Sequence, residues 1–81
     1  MRFLEAISQR INNLIKQKEG VSANDLAKQN GINRSTFWKI INPDFDRVKT
    51  AKLDTFYDIV VALDIKLKDF FDDPVFDQIT D

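Results

Sequence analysis

Hydrophobic residues recur at steps of three and four positions along most of this chain, which is the period of helices with one buried face. The first such stretch predicts a helix from about Arg2 to Lys18, with Gly20 as its stop. A shorter helix is predicted from about Ala23 to Gln29. Ser22 precedes it as an N-cap, with Asp25 at the capping-box position, where Asp in place of Glu is expected to weaken the reciprocal bond.

Glycine at position 31 predicts a tight turn directly after that helix, because Gly31 tolerates the left-handed backbone that usually ends a helix. Asn33 is the predicted N-cap of a third helix from about Arg34 to Ile41. The pair Asn42–Pro43 ends this helix, since a residue before proline avoids the helical region. Two short helices joined by a tight turn form a helix-turn-helix, which places its second helix in the major groove of DNA.

The rest of the chain predicts a loop over residues 43–52, a helix over about Leu53–Leu63 and a short last helix over about Leu67–Phe71. No strand pattern occurs. The predicted fold class is therefore all-α, a compact bundle of about five helices containing the helix-turn-helix. We expect one domain over residues 1–73, followed by an acidic C-terminal tail over residues 74–81.

Composition argues against catalysis. The 81 residues suffice for one small domain and include neither cysteine nor histidine. Disulfides, thiolate metal sites and the commonest general base are thereby excluded. We therefore predict no enzyme activity, no metal site and no cofactor.

The N-terminus does not resemble a signal peptide, and no run approaches the roughly 18 apolar residues of a membrane span. An intracellular, cytoplasmic protein without a membrane partner is expected.

The net charge of −1 hides an asymmetry. Residues 1–52 contain ten Lys/Arg and five Asp/Glu, a balance of +5, whereas residues 53–81 contain two Lys/Arg and eight Asp/Glu, a balance of −6. A DNA-facing surface would therefore lie in the first two thirds of the chain. The alternative is that both charge blocks are ordinary solvated faces.

A helical wheel divides the third helix into two faces. Phe37, Ile40 and Ile41 fall on one arc, which would hold the helix to the body. The opposite arc spans roughly 140° and carries Arg34, Ser35, Trp38, Lys39 and Asn42. Arg and Lys donate to guanine O6 and N7, Ser addresses several base edges, and Trp packs on a thymine methyl or on sugar. The alternative is a surface helix with a mixed polar face, in which the tryptophan is structural.

Other groups are candidates for phosphate contacts. The N–H groups at the helix starts and the hydroxyl of Thr36 are placed to approach phosphates. Arg47, Lys49 and Lys52 in the following loop suit contacts that add affinity without sequence preference. The alternative is that each is an ordinary solvated side chain, and Asp44 and Asp46 in the same loop would oppose DNA if they faced it.

Two segments carry a resemblance to a known family, namely SANDLAKQNGINRSTFWKIIN and LDTFYDIVVALDIKLKDFF. Over about residues 10–71 the chain resembles the Cro/repressor-type, or XRE-like, helix-turn-helix proteins of phages and bacteria. The resemblance implies a lambda-repressor-like DNA-binding domain that binds operator DNA, usually as a dimer, and commonly represses transcription. It implies base contacts for Arg34, Ser35, Trp38 and Lys39. It implies positions near the DNA backbone for Ser22, Ala23, Thr36 and Asn42.

The chain departs from the family pattern at several positions. Ala23 stands where a polar residue often helps to fix the helix on DNA. Lys16 and Ile41 replace a buried arginine and glutamate pair, so apolar packing by Ile41 is expected instead. Asp64 and Lys66 replace the usual glycine and serine before the last helix. Asp64 is expected to adopt the left-handed backbone, and the side-chain cap at Lys66 to be lost.

The leading hypothesis is a sequence-specific DNA-binding transcriptional regulator, a phage- or prophage-type repressor that acts by occupying its operator on double-stranded DNA. A homodimer is expected, because two recognition helices about 34 Å apart supply usable specificity. Its surface would involve Phe70, Phe71, Val75 and Phe76, unless these residues close the monomer's own core. The alternative is a protein-interaction module or an antitoxin of the same fold, with the acidic C-terminal half binding a protein partner.

Overall fold

The computed structural model describes residues 1–42 and 52–80, and within these ranges every regular element is helical. The all-α prediction is thereby confirmed. Five α-helices are followed by a 3-10 helix at Pro74–Gln78. The α-helices are α1 (Phe3–Gln17), α2 (Ala23–Gln29), α3 (Arg34–Ile41), α4 (Leu53–Ala62) and α5 (Leu67–Phe70).

Helix α2 begins with a complete capping box. The hydroxyl oxygen of Ser22 accepts from the backbone N–H of Asp25 at 3.2 Å, and the Ser22 N–H donates to Asp25 Oδ2 at 3.0 Å. Both halves of the box are formed, so the shorter aspartate still reaches the cap. The backbone N–H of Ser22, and then its hydroxyl, lower the pKa of the Asp25 carboxyl. The cap is therefore charged at neutral pH and weakens only as the pH falls through that lowered pKa.

The turn between α2 and α3 depends on backbone conformation at Gly31. Its φ of +66° lies in the left-handed region, as the sequence predicts. The next N–H, that of Ile32, donates to the carbonyl of Ala27 at 2.9 Å. Asn33 then caps α3 by accepting from the N–H of Thr36 at 3.1 Å. Together these bonds set the angle at which α3 leaves α2.

One hydrophobic core lies beneath the helix-turn-helix. Every α-helix contributes to it, and the fully buried side chains at its centre are Ile11, Ile59, Val60 and Phe70. Its other members from the first three helices are Ile7, Leu26, Ala27, Phe37, Ile40 and Ile41. Burial of Phe37, Ile40 and Ile41 in this shared core holds the third helix against the body.

The C-terminal end of α3 is also tied to α1 by polar contacts. The carbonyl of Ile41 accepts from Ser8 Oγ and from Asn12 Nδ2, both at 2.8 Å. This carbonyl has no partner within its own helix, so the two bonds satisfy it inside the protein. Ile41 is 8% exposed, which confirms the apolar packing expected there. Ser8 and Asn12 thus hold the end of α3 by hydrogen bonds. As predicted, no arginine–glutamate ion pair forms at Lys16 and Ile41, because neither residue is of the required type.

A second polar anchor, Arg10, joins α1 to the C-terminal part of the chain. Its Nε donates to the carbonyl of Phe70 at 2.8 Å and its Nη2 to the carbonyl of Asp69 at 3.0 Å. Its Nη1 lies 3.1 Å from Asp73 Oδ2 in an ion pair. The residue is 9% exposed. Sequence analysis assigned it no role, because arginine side chains are mostly exposed in proteins.

The segment after α5 packs on the bundle, which differs from the tail expected over residues 74–81. Asp73 caps the 3-10 helix by accepting from the N–H of Val75 at 2.9 Å, and Val75 is 6% exposed. Thr80 and Met1 bond to each other, with Thr80 N–H donating to the Met1 carbonyl at 3.0 Å. The acidic composition suggested a tail, but the apolar side chains of Val75 and Phe76 hold the segment to the protein.

The turn before α5 has the two backbone features that the sequence predicts. Asp64 has a φ of +56°, and Lys66 makes no side-chain cap, both as predicted.

Four phenylalanine rings pack around α5 with centroids 5.1–5.9 Å apart, at Phe56, Phe70, Phe71 and Phe76. Phe70 and Val75 are buried and Phe76 is partly buried, so these three close the core of the single chain. Phe71 remains 41% exposed.

We expect Arg10→Ala to lower the free energy of unfolding by about 3 kcal/mol, because it removes the side-chain donor to the Phe70 and Asp69 carbonyls and the charge partner of Asp73. Urea denaturation measures this change. Lys16→Ala, at an exposed position of the same helix, is the control and should stay within about 0.5 kcal/mol of the wild type. Equal stabilities of the two variants would contradict the anchoring role of Arg10.

Candidate nucleic-acid interface

Four side chains project together from the exposed side of α3. Arg34, Ser35, Trp38 and Lys39 are all exposed, whereas Phe37 and its buried neighbours face the core. The structure thus brings together the four residues that the sequence singles out for base contacts. We call these four residues the α3 outer face. This exposed side of α3 carries two cations, a hydroxyl group and an indole. They provide hydrogen-bond donors and an apolar surface for the major groove of DNA.

Trp38 is the most unusual member of the α3 outer face. It is 56% exposed, although a tryptophan side chain gains more from burial than almost any other. It lies one turn after Arg34 on the same side of the helix. A structural role for Trp38 would require contact with the core, which its neighbour Phe37 makes instead at 2% exposure. The indole is therefore available to an external partner.

Arg34 is the member of the α3 outer face that contacts the preceding helix. Its Nε donates to Asn24 Oδ1 at 3.2 Å, across the turn from the first residue of α3 to the second of α2. Asn24, Arg34, Ser35 and Trp38 line one surface groove. Sequence analysis missed Asn24. No local signal pointed to it, because its partner Arg34 lies ten positions later in the sequence.

The residues expected near phosphates at the start of α2 differ in what they can offer. Ser22 is exposed, and its oxygen accepts the capping bond, but its hydroxyl also interacts with the Asp25 carboxylate, so a phosphate would compete with Asp25 for the O–H. The methyl group of Ala23 packs partly buried against the core, so its backbone N–H is the polar group left for an anion. The charged Asp25 carboxylate at the same helix start repels anions and limits this site.

The remaining candidates for phosphate contacts are more scattered. Thr36 Oγ1 donates to Asn33 Oδ1 at 3.4 Å, so its hydroxyl proton is directed to the cap of its own helix. Asn42 is exposed at the far end of α3. Lys52 is exposed directly before α4. Arg47, Lys49, Asp44 and Asp46 lie outside the described residues.

Metal sites and membrane spans are two other features that the described residues lack. Within residues 1–42 and 52–80, no group of three or more carboxylate, imidazole or thiolate side chains is arranged to hold a metal ion. In the same ranges, no helix is both long enough and apolar enough to span a bilayer.

Comparison with known proteins identifies a family. The model of the Cro/C1-type HTH DNA-binding domain matches residues 10–75, which is 66 of the 81 residues. The match includes α2, the turn and α3, and extends through α5 into the 3-10 helix. No curated protein and no solved structure matches the chain.

We expect Trp38→Ala to change the free energy of unfolding by less than about 0.5 kcal/mol, because its side chain is mostly in water. Phe37→Ala, one residue earlier, should cost about 3–5 kcal/mol. Urea denaturation of both variants measures the contrast. A loss above about 1.5 kcal/mol for Trp38→Ala would assign the indole to the core and remove it from the α3 outer face.

Proposed function

The chain belongs to the Cro/C1-type helix-turn-helix DNA-binding domain family, and on this premise we propose that it is a sequence-specific transcriptional repressor of phage or prophage type. Membership by itself supports a DNA-binding transcriptional regulator. The finer proposal is that the protein occupies an operator and blocks polymerase, with the cytoplasm as its place of action because operator DNA lies there. No catalytic step is involved.

The observation that carries this proposal is the composition of the α3 outer face at the second helix of a helix-turn-helix. Arg34 and Ser35 lie at the N-terminal end of α3, the end that usually points at base edges. Lys39 follows on the same exposed side, where its ammonium group can donate to guanine. The indole of Trp38 offers an apolar contact to a thymine methyl group or to sugar.

Phosphate contacts would supply the sequence-independent part of the affinity. Ser22 and the N–H of Ala23 are the candidates before α3, while Asn42 and Lys52 are the candidates after it. Arg47 and Lys49 are proposed for the same role from their sequence position, and Thr36 is the weakest candidate because its hydroxyl donates to Asn33. Phosphate contacts on both sides of a helix would fix its register in the groove.

We expect Arg34→Ala and Lys39→Ala each to weaken binding to the operator by about 1–3 kcal/mol, while binding to random duplex changes much less. Fluorescence anisotropy with DNA from the gene's own locus measures both affinities at one salt concentration. The matched control is Lys28→Ala, an exposed cation on α2 outside the α3 outer face. Failure of the wild-type protein to bind any DNA from its locus at low salt would overturn the proposed function.

A homodimer would place two α3 helices on one face of DNA, and exposed apolar residues near the C-terminus are the candidates for its surface. Of the four residues expected there, Phe70, Val75 and Phe76 pack within the single chain, and Phe71 retains substantial exposure. Leu67, one turn before Phe71 on α5, is 42% exposed. We therefore propose that these two exposed side chains contribute to the contact between copies.

We expect two copies to bind one operator, and Leu67→Glu to reduce this to one, because a carboxylate would be desolvated in the apolar contact. Sedimentation velocity of the protein with operator duplex gives the stoichiometry. Glu substituted for exposed Gln9 on α1 is the control. A wild-type complex with one copy, or an unchanged dimer in Leu67→Glu, would rule out this surface.

A second candidate function is favoured by the exposed side of α4. Leu53, Tyr57 and Val61 recur at helical spacing with exposed fractions of 81%, 53% and 56%, beside the acidic Asp54 and Asp58. A protein partner with an apolar, basic surface would suit this stripe, as in an antitoxin of the same fold. Co-purification of a protein through α4, together with a neighbouring small toxin gene, would support it over repression alone.

A further inference from the structure

The hydrogen bond between α2 and α3 involves the side chain with the greatest capacity for base recognition. Arg34 Nε donates to Asn24 Oδ1 at 3.2 Å, and both residues are exposed at the surface. They are ten positions apart in the sequence and meet because the Gly31 turn folds α3 back against α2. Nothing in the core requires this contact, since neither side chain belongs to the buried cluster.

The chemistry of the guanidinium group gives the bond a consequence for recognition. Arginine carries five N–H donors in a planar fork, and Nε supplies one of them. A bond at Nε leaves the four N–H groups of the two terminal nitrogens, and two parallel donors are what guanine O6 and N7 accept. The amide of Asn24 thus restricts a long flexible side chain without consuming the donors that bidentate recognition needs.

The surroundings of the bond restrict the arginine further. Trp38 lies one helical turn after Arg34, and its indole lines the same groove as Asn24 and Arg34. The bond from Arg34 to the Asn24 amide therefore holds the guanidinium beside this groove. Among the α3 outer face, Ser35 is short and Lys39 ends in a compact charge without a fixed fork. Arg34 is the member for which orientation matters most.

We propose that Asn24 is a positioning residue that sets the preference of Arg34 for guanine, without itself contacting a base. This inference rests on the proposed function, because it requires the α3 outer face to lie in the major groove. Its effect is on discrimination between base pairs. Affinity for DNA of arbitrary sequence, which depends on phosphate contacts, is not part of its role.

The test begins with the wild-type protein and a site selected from a pool of random duplexes. Dissociation constants for every single-base substitution of that site identify the G·C pair whose preference disappears in Arg34→Ala. Asn24→Ala should lower the preference at this pair by about 2- to 10-fold, the range of one hydrogen bond. Its affinity for random duplex and its salt dependence should match the wild type. Gln29→Ala, an exposed amide on the same helix, should leave the preference unchanged.

Two further variants separate positioning from direct contact. In an Arg34→Ala background, Asn24→Ala should have no additional effect, because the residue acts through the arginine. Asn24→Asp keeps the acceptor oxygen and should retain the guanine preference, while its added charge weakens binding to all duplexes alike. Urea midpoints of the variants confirm that each is folded.

The outcomes that overturn the inference are distinct from those that overturn the proposed function. If the wild type selects no sequence, the proposed function fails and this inference fails with it. If a site is selected and Arg34→Ala loses a G·C preference, but Asn24→Ala does not weaken it, the positioning role alone is wrong. An equal loss from Asn24→Ala with and without Arg34 would place Asn24 on the DNA itself.

Discussion

An eight-residue helix is marginal in water, so α3 keeps its place because the rest of the protein holds it. Phe37, Ile40 and Ile41 bury one side of it, and two α1 side chains bind the Ile41 carbonyl at its far end. The Gly31 turn and the Asn33 cap fix its near end. Because both ends and the inner side are occupied, the outer side is presented as a rigid surface.

The polar side chains buried on α1 serve to bind the carbonyl groups at the ends of other helices. Ser8 and Asn12 satisfy the end of α3 from one side of α1, and Arg10 reaches the end of α5 from the opposite side of the same helix. Helix ends leave carbonyls unpaired, and burying them without donors is costly. The first helix therefore acts as the common support for the recognition helix and for the C-terminal segment.

Much of this was predictable from sequence, and the exceptions have physical causes. The Ser22 cap, the Gly31 turn and the buried arc of Phe37 and Ile40 are local or periodic signals, so α2 and α3 were predicted with the bounds observed. The roles of Arg10 and Asn24 depend on partners 59 to 63 and ten residues away, respectively, which no local pattern encodes. The end of the chain was expected to be a tail from Pro74 and its acidic residues, whereas the packing of Val75 and Phe76 depends on tertiary contacts that no local pattern encodes.

The central claim is that DNA meets the α3 outer face. Amide chemical-shift changes during titration with duplex from the gene's own locus test it most directly, since they report each residue separately. We expect the largest chemical-shift changes at the start of α2 and along α3, with little change on the exposed side of α4. Changes centred on α4 and α5, with α3 unaffected, would contradict it.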